Sequence, residues 1–122
     1  MVKGRKITGG KYKKFKKKKK YEIQGKERKV KLRETKKKIK RGLGGNKKTV
    51  LLSSNFANVT NPLTKKTKKS KILNVIETPS NRFLARQNIL VKSAIIETEL
   101  GKAKITNRPS QEGSVQCVLI NK

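Results

Sequence analysis

The chain has 122 residues and carries 35 lysines and arginines against 7 acidic residues, a formal net charge of +28. All of the acids are glutamates, and the sequence has no Asp, His or Trp. The length allows one domain, or a smaller domain with an extension. A chain this basic repels itself unless a polyanion neutralises it. We therefore expect nucleic acid, an anionic membrane surface or an acidic protein as the partner.

The same composition argues against catalysis. Without His or Asp, neither a Ser-His-Asp triad nor a Cys-His dyad can form. The single cysteine, Cys117, cannot hold zinc alone, so we expect no metal and no cofactor. Glu97 and Glu99 could form an acid/base pair, but they serve better as cross-strand partners of lysines. We expect neither an enzyme nor a protein with a small-molecule substrate.

A membrane is the weakest of the three partner classes. The longest apolar run is about four residues, far shorter than a membrane-spanning segment. Residues 1–20 carry positive charge but lack the apolar core of a signal peptide. A lone cysteine fits a reducing compartment, and we expect the cytoplasm.

The charge is concentrated in the first part of the chain. Residues 1–50 hold 23 basic and 3 acidic residues, whereas residues 51–122 hold 12 and 4. High charge with little apolar content is typical of segments that order only on binding. We expect a basic extension over residues 1–34 and a folded domain over residues 35–122. Val30 and Leu32 alternate with charged residues, which predicts a short strand that lays one face on the domain.

The densest basic segment reads KYKKFKKKKKY, residues 11–21. Its lysines would neutralise phosphates and release counterions, and its aromatic residues would stack on bases. The alternatives are a solvated tail and a nuclear-import signal. We predict nucleic-acid contacts for this segment and for two cations before it. The residues are Arg5, Lys6, Lys11, Tyr12, Lys13, Lys14, Phe15, Lys16, Lys17, Lys18, Lys19, Lys20 and Tyr21.

Two Gly-Gly pairs are flanked by basic and polar residues, at Gly9-Gly10 and at Gly44-Gly45. Glycine lets backbone N–H groups approach a phosphate closely, as in anion-binding nests. An ordinary turn is an equally good explanation for either pair alone.

The rest of the chain is predicted to be all-β, because short segments rich in Val, Ile and Thr alternate with turn signals. This pattern indicates a small barrel or sandwich. The predicted elements are a hairpin of residues 36–41 and 48–53, a turn at 61–64, and strands at 71–77, near 88–92 and at 114–120. The last strand places Val115, Cys117 and Leu119 on one face, with Cys117 buried as a small apolar residue.

A second hairpin is predicted over residues 94–106, AIIETELGKAKIT. A two-residue loop at Leu100-Gly101 would place Glu99 opposite Lys102 and Glu97 opposite Lys104. Ile96 would face Ile105 on the other side, so that one face carries charge pairs and the other an apolar pair.

Loop residues of the domain are further candidates. Arginines on loops can make fork-shaped phosphate contacts, whereas asparagines at strand ends are better explained by turn and cap chemistry. The candidate cations are Arg41, Lys47, Lys48, Lys65, Lys66, Lys68, Arg82, Arg86 and Arg108. The asparagines assigned to strand ends are Asn55, Asn58, Asn61, Asn81, Asn88 and Asn107.

Several segments, taken in order, resemble the archaeal form of the small-subunit ribosomal protein S8e family. They are TGGK (8–11), GGNKK (44–48), ANVTNPLT (57–64), KKSKI (68–72), NILVKSAIIETELGKAKITNRP (88–109) and VLI (118–120). The resemblance implies a small six-stranded β-barrel with a lysine-rich, largely non-globular N-terminal extension. It implies a structural role on the small ribosomal subunit, with contacts to rRNA and to neighbouring small-subunit proteins, and neither catalysis nor a cofactor.

Carried over by position, the resemblance assigns RNA contacts to the N-terminal extension, including Gly9, Gly10 and Lys11, and to the turn formed by Gly44, Gly45, Asn46 and Lys47. The chain has Leu43 where the family pattern has arginine, which leaves Arg41 to take over that contact. Ser93 and Ser110 stand where the pattern has glycine. A ribosome-assembly factor and a general nucleic-acid-binding protein, such as a chromatin-like DNA binder, are the alternative functions.

Overall fold

The computed structural model describes residues 4–12, 16–23, 25 and 27–120. Within these ranges the chain forms two β-sheets and two short α-helices. In chain order the elements are β1 (Lys31–Leu32), β2 (Lys36–Arg41), β3 (Lys47–Ser54), β4 (Phe56–Asn61), β5 (Lys66–Glu77), α1 (Arg82–Arg86), β6 (Ile95–Thr98), β7 (Gly101–Ile105), α2 (Pro109–Glu112) and β8 (Gln116–Leu119). Single 3-10 turns occur at Lys20–Glu22 and Leu43–Gly45.

The barrel is closed by five strands, in the order β4-β5-β6-β7-β8, and β4 pairs with β8 in parallel to complete it. The other three strands form a separate sheet, in the order β1-β3-β2. The mainly β fold is confirmed, but the predicted six-stranded barrel is wrong. Both edges of β4 are already paired, with β5 and β8, so no edge remains there for a sixth strand.

The chain turns from the second sheet into the barrel at Ser54. The Ser54 Oγ donates to the Phe56 carbonyl at 2.8 Å and accepts from the Phe56 N–H at 3.2 Å. The side chain thereby satisfies backbone groups that lose their ladder partners at the turn. The turn lets β3 pair with β1 and β2 while β4 enters the barrel.

One apolar core joins the two sheets. Leu51 of β3 and Val30, just before β1, are each 1% exposed and pack with the inward residues of the barrel. The Leu90 N–H donates to the Val30 carbonyl at 2.8 Å, and the Leu32 N–H donates to the Asn88 carbonyl at 2.9 Å. The short strand predicted at Val30 and Leu32 is therefore confirmed, as β1 in parallel with β3.

The β6–β7 hairpin forms, but its register differs from the predicted one by two residues. Its loop is Glu99-Leu100, so Glu97 lies opposite Lys102 and Ile96 opposite Ala103. Gly101 takes a φ of 119° as the first residue of the returning strand, rather than inside the loop. A shift of two residues leaves every side chain on its predicted face.

The strand predicted near residues 88–92 is wrong. Residues 88–94 form a loop, with one isolated bridge between Ile89 and Lys31. Asn88 and Ser93 have φ values of 51° and 66°, which interrupt an extended backbone at both ends of the segment. The apolar run reflects burial of the loop, because Ile89 and Leu90 are at most 1% exposed.

Three elements were not predicted. Strand β4 was missed because Asn58, assigned to a strand end, lies in its middle. Helix α1 begins where Asn81 Oδ1 accepts from the Phe83 N–H at 2.9 Å, and α2 begins with Pro109. Helix α1 has five residues and α2 has four, which is too short for a periodic apolar pattern.

Three further predictions agree with the structure, and the strand predicted at 71–77 is the second part of β5, which begins at Lys66. The β2–β3 hairpin has the predicted strands, and a turn follows Asn61. Val115 and Cys117 are buried at β8, and Leu119 packs against the same core. No helix in the described part of the chain is long and apolar enough to cross a bilayer.

Candidate nucleic-acid interface

The β2–β3 hairpin carries the densest charge of the folded part. We call residues 36–48 the basic hairpin; it contains no acidic residue, and all of its residues are exposed. Its seven cations are Lys36, Lys37, Lys38, Lys40, Arg41, Lys47 and Lys48. Of these, only Arg41, Lys47 and Lys48 were predicted from the sequence as candidate nucleic-acid contacts. The signal for the other four was the run KKKIKR itself, whose lack of apolar alternation indicates a strand with neither face buried.

Like charges lie directly opposite each other at the end of this hairpin. Lys40 pairs with Lys48, and Arg41 pairs with Lys47. Side chains of directly opposed residues are neighbours, so like charges there are destabilising. Because successive residues of a strand point to opposite faces, the two pairs place positive charge on both faces of the ribbon.

The loop of the basic hairpin brings glycine backbone to the surface. Gly44 and Gly45 have φ values of 70° and 78°, and the Gly42 N–H donates to the Asn46 carbonyl at 2.6 Å. Asn46 Nδ2 donates to the Leu43 carbonyl at 3.2 Å, and the Leu43 side chain is 98% exposed. The positive φ values require glycine here. The phosphate contact expected of this turn stays a prediction.

Two basic grooves border the second sheet. One, of about 710 Å³, is lined by Arg28, Lys40, Arg41 and Lys48, together with Glu112 and residues of the hairpin and α2. The other, of about 550 Å³, is lined by Lys29, Lys31, Arg33 and Lys36, together with Glu34, Leu52 and Ser53. Arg28 Nε donates to the Ser110 carbonyl at 3.4 Å. These cations could not be predicted as a group from the sequence, because residues distant in the chain are brought together only by the sheet.

The first Gly-Gly pair closes a smaller turn near the N-terminus. The Lys6 N–H donates to the Gly10 carbonyl at 2.9 Å, and the Gly9 N–H donates to the Lys6 carbonyl at 2.8 Å. Arg5 forms an isolated bridge with Lys11, and Gly9 has a φ of 79°. All of residues 4–12 are exposed. The turn therefore presents its cations to solvent rather than to the barrel.

The lysine run is exposed wherever it is described. Lys16 Nζ lies 3.6 Å from Glu22 Oε1, and Glu22 Oε2 accepts from the Lys19 N–H at 2.9 Å. Lys19 Nζ lies 5.9 Å from the centre of the Tyr21 ring, and Lys6 Nζ lies 5.8 Å from that of Tyr12. Lys17, Lys18 and Lys20 are equally exposed. The predictions for Lys13, Lys14 and Phe15 lie outside the described residues.

The other cations predicted on loops of the domain, from Lys65 onward, line neither of these grooves. Lys65 and Lys66 lie at the β4–β5 turn, and Lys66 and Lys68 line a separate cavity of about 320 Å³ with Leu100 and Leu119. The remaining arginines lie on or before the short helices, and all are exposed: Arg82, Arg86 and Arg108.

The family model of ribosomal protein S8e matches residues 2–120. The chain belongs to the ribosomal protein S8e family. Its relatives include three archaeal proteins named small ribosomal subunit protein eS8. The protein of Sulfurisphaera tokodaii is 49% identical over 95% of this chain and 91% of its own length. That of Methanococcus aeolicus is 51% identical over 96% and 92%, and that of Ignicoccus hospitalis is 47% identical over 97% and 92%. The resemblance inferred from the sequence segments is confirmed.

The side chains of this S8e family member that could take part in chemistry lie in structural surroundings. Cys117 is 1% exposed, and burial raises the pKa of its thiol to about 12, so the thiol is neutral at physiological pH. Glu99 Oε2 accepts from the Lys71 N–H at 3.5 Å, and Glu97 faces Lys102 across the hairpin. Among the residues that the structure describes, no three His, Cys, Asp or Glu side chains form a potential metal site.

Proposed function

We propose that this protein is a structural constituent of the small ribosomal subunit that binds and stabilises small-subunit rRNA. The observation that carries the proposal is the basic hairpin, where Lys40 faces Lys48 and Arg41 faces Lys47. Such pairs destabilise the isolated chain, and a polyanion would turn their repulsion into attraction. The names of the archaeal relatives, small ribosomal subunit protein eS8, support the choice of the small ribosomal subunit.

The mechanism is electrostatic and depends on shape rather than on base sequence. Cations of the basic hairpin and its two grooves neutralise phosphates and release counterions. The N-terminal segment adds a second contact, in which its lysines lie between rRNA helices and Tyr12, Phe15 and Tyr21 pack against nucleotides. This role needs no catalytic step and no cofactor, and its place is the ribosome in the cytoplasm.

Neighbouring ribosomal proteins would contact exposed apolar side chains of β5 and α1. Leu73 and Ile76 of β5 are 54% and 42% exposed, and Phe83 of α1 is 56% exposed. These apolar side chains lie on elements that carry less charge than the basic hairpin. They suit a protein surface better than a phosphate backbone.

Fractionation of a cell extract tests the assignment. The tagged protein is followed through a sucrose gradient, and the nucleic acid crosslinked to it is sequenced. We expect stoichiometric protein in mature small subunits and polysomes, with crosslinks to small-subunit rRNA. Protein found only in precursor particles would identify an assembly factor instead, and crosslinks to DNA would overturn both assignments.

Salt dependence tests the mechanism separately. The logarithm of the association constant for rRNA should fall linearly with the logarithm of salt concentration, by roughly 0.7 to 0.9 per phosphate neutralised. A flat response would contradict electrostatic binding even if the protein were found on ribosomes.

A further inference from the structure

The end of the basic hairpin combines charge on both faces with a single apolar side chain. We call Lys40, Arg41, residues 42–46, Lys47 and Lys48 the hairpin tip. A ribbon that lay flat on one phosphate surface would use the cations of one face and leave the other face in solvent. Two rows of phosphate, one on each side of the ribbon, would use both. The charge pattern therefore fits a cleft between two backbones better than a flat surface.

Leu43 stands alone at the end of this tip. It is 98% exposed, against 65% for Ile39 within the strand of the same hairpin. Its neighbours Gly42 and Gly44 have no side chains to cover it, and Gly45 extends the bare backbone. Apart from Gly45 itself and its two chain neighbours, no heavy atom lies within 4 Å of the place where a Cβ of Gly45 would stand. The tip therefore offers a partner one aliphatic group and closely accessible backbone.

The surrounding charge decides which partner suits Leu43. Any surface that reaches it also meets four cations and no acidic residue of the tip. A second copy of this chain would bring like charge, so self-association through the tip is unfavourable. RNA supplies phosphates beside apolar ribose and base edges. The minor groove of A-form RNA is wide and shallow and exposes both of these, whereas its major groove is too narrow for side chains.

We propose that the hairpin tip enters the minor groove of an rRNA helix, where Leu43 packs against riboses and base edges. Lys40 with Lys48 and Arg41 with Lys47 contact the two phosphate backbones that border the groove. The glycine backbone on both sides of Leu43 lies close enough to exchange hydrogen bonds with 2′-hydroxyl groups. This inference rests on the proposed binding of rRNA and specifies how one element achieves it.

A single substitution separates the apolar contact from the electrostatic one. Leu43→Ser removes the aliphatic group and changes no charge, so affinity for transcribed archaeal small-subunit rRNA should fall about tenfold. The salt slope should not change, because the same phosphates are neutralised. Leu63→Ser is the matched control, since Leu63 is 80% exposed at the β4–β5 turn and also lies near lysines.

The proposal is overturned if Leu43→Ser binds as tightly as the unmodified chain, or if Leu63→Ser weakens binding equally. Either result leaves the proposed function standing, provided that the unmodified chain binds rRNA with a steep salt slope. Absence of that binding would instead refute the proposed function. The two failures are therefore distinguishable in one titration series.

Directed cleavage locates the tip on the RNA. A Leu43→Cys variant is labelled with an iron chelate that generates hydroxyl radicals; Cys117 stays unlabelled because it is buried and its thiol pKa is about 12. We expect cuts on both strands of one rRNA helix, facing each other across the minor groove. Cuts confined to one strand, or to an unpaired loop, would contradict insertion between two backbones.

Discussion

The two hairpins β6–β7 and β2–β3 use the same local structure for opposite purposes. In β6–β7, Glu97 faces Lys102, and the adjacent pair, Ile96 and Ala103, is buried. In β2–β3, Lys40 faces Lys48 and every residue of β2 is exposed. The first hairpin satisfies the rules for cross-strand stability, and the second violates them near its end. A violation of this kind is expected where a polyanion neutralises the charge, as in the proposed binding to rRNA.

The two regions also differ in how their strand edges are treated. Every barrel strand has two neighbours, whereas β2 lies at the edge of its sheet. Lysines on an edge strand discourage pairing with another chain, which explains some of the charge on β2. β1 pairs only with Ser53 and Ser54 of β3, so at Lys47 and Lys48 this strand is paired with β2 alone and edge protection applies there too. Edge protection does not require like charges to face each other, as Lys40 and Lys48 do, whereas the proposed binding to rRNA would account for that arrangement.

The largest effect should follow from truncation of the barrel core. Ile96 is 0% exposed, so Ile96→Ala should lower the free energy of unfolding by about 3 kcal/mol, through lost burial and the cavity it leaves. Denaturant unfolding followed by circular dichroism measures the change. Ile39→Ala removes the same atoms from the basic hairpin, where the side chain is 65% exposed.

The Ile39→Ala control should change the free energy by less than about 0.5 kcal/mol. If Ile96→Ala does not fold, Ile96→Val should still cost about 1 kcal/mol. Equal effects at positions 39 and 96 would mean that the hairpin is packed as tightly as the barrel, against the structure.

The second effect concerns binding. Lys40→Gln with Lys48→Gln removes one opposed pair and should weaken binding to small-subunit rRNA about 30-fold near 0.1 M salt. The salt slope should fall by about 1.5, since two phosphate contacts are lost. Filter binding over a range of salt concentrations measures both quantities.

The matched control for this pair lies on the barrel. Lys102→Gln with Lys104→Gln removes the same net charge from β7, where both lysines are exposed. It should weaken binding less than about threefold, through the general field alone. An equal loss for both double variants would show that net charge, and not the basic hairpin, determines the affinity.

Local patterns predicted the hairpins but not the closure of the sheet. Turn residues identified the β2–β3 hairpin, and alternation with a glycine-containing turn identified β6–β7, because each hairpin is specified locally. The parallel pairing of β4 with β8 joins Asn58 to Gln116, and nothing local encodes it. Strand β4 itself was hidden by asparagines, whose turn preference was overridden by burial of Ala57 and Val59 on its inner face.

For the candidate site, too, the residue types could be predicted but their spatial arrangement could not. The lysine run, the Gly-Gly turns and the charge of KKKIKR can be identified from the sequence alone. The opposition of Lys40 to Lys48 depends on register, and the groove that joins Arg28 to Arg41 depends on the docking of two segments. Sequence therefore indicates the class of ligand, whereas the arrangement that would bind it requires the fold.

A backbone effect of intermediate size should appear at Ser93. Its φ of 66° lies in the left-handed region, which costs a non-glycine residue about 1 kcal/mol. Ser93→Gly should therefore raise the free energy of unfolding by about 1 kcal/mol, as measured by denaturant titration. Ser110→Gly is the control, because Ser110 lies in α2 and glycine lowers helix stability.

Ser110→Gly should lower the free energy of unfolding by about 0.5 kcal/mol. Opposite signs for the two serine variants are the expected result. A loss of stability at position 93 would mean that the serine side chain contributes more than its backbone conformation costs.

The smallest effect returns to the two hairpins. In the isolated protein, Lys48→Gln relieves repulsion with Lys40 and should raise the free energy of unfolding by about 0.3 kcal/mol. Lys102→Gln removes attraction to Glu97 and should lower it by a similar amount, about 0.3 kcal/mol. Thermal unfolding at low salt measures both changes, and about 1 M salt should abolish both by screening.

The direction of the stability change caused by Lys48→Gln is decisive, because the same substitution should stabilise the free chain and weaken its binding to rRNA. A cation that stabilises the free chain has a partner within the protein. A cation that destabilises the free chain but strengthens its binding to rRNA has its partner outside the protein. If Lys48→Gln lowered stability, the repulsion between the opposed lysines would be offset within the chain itself. The basic hairpin would then give no independent evidence for a polyanionic partner.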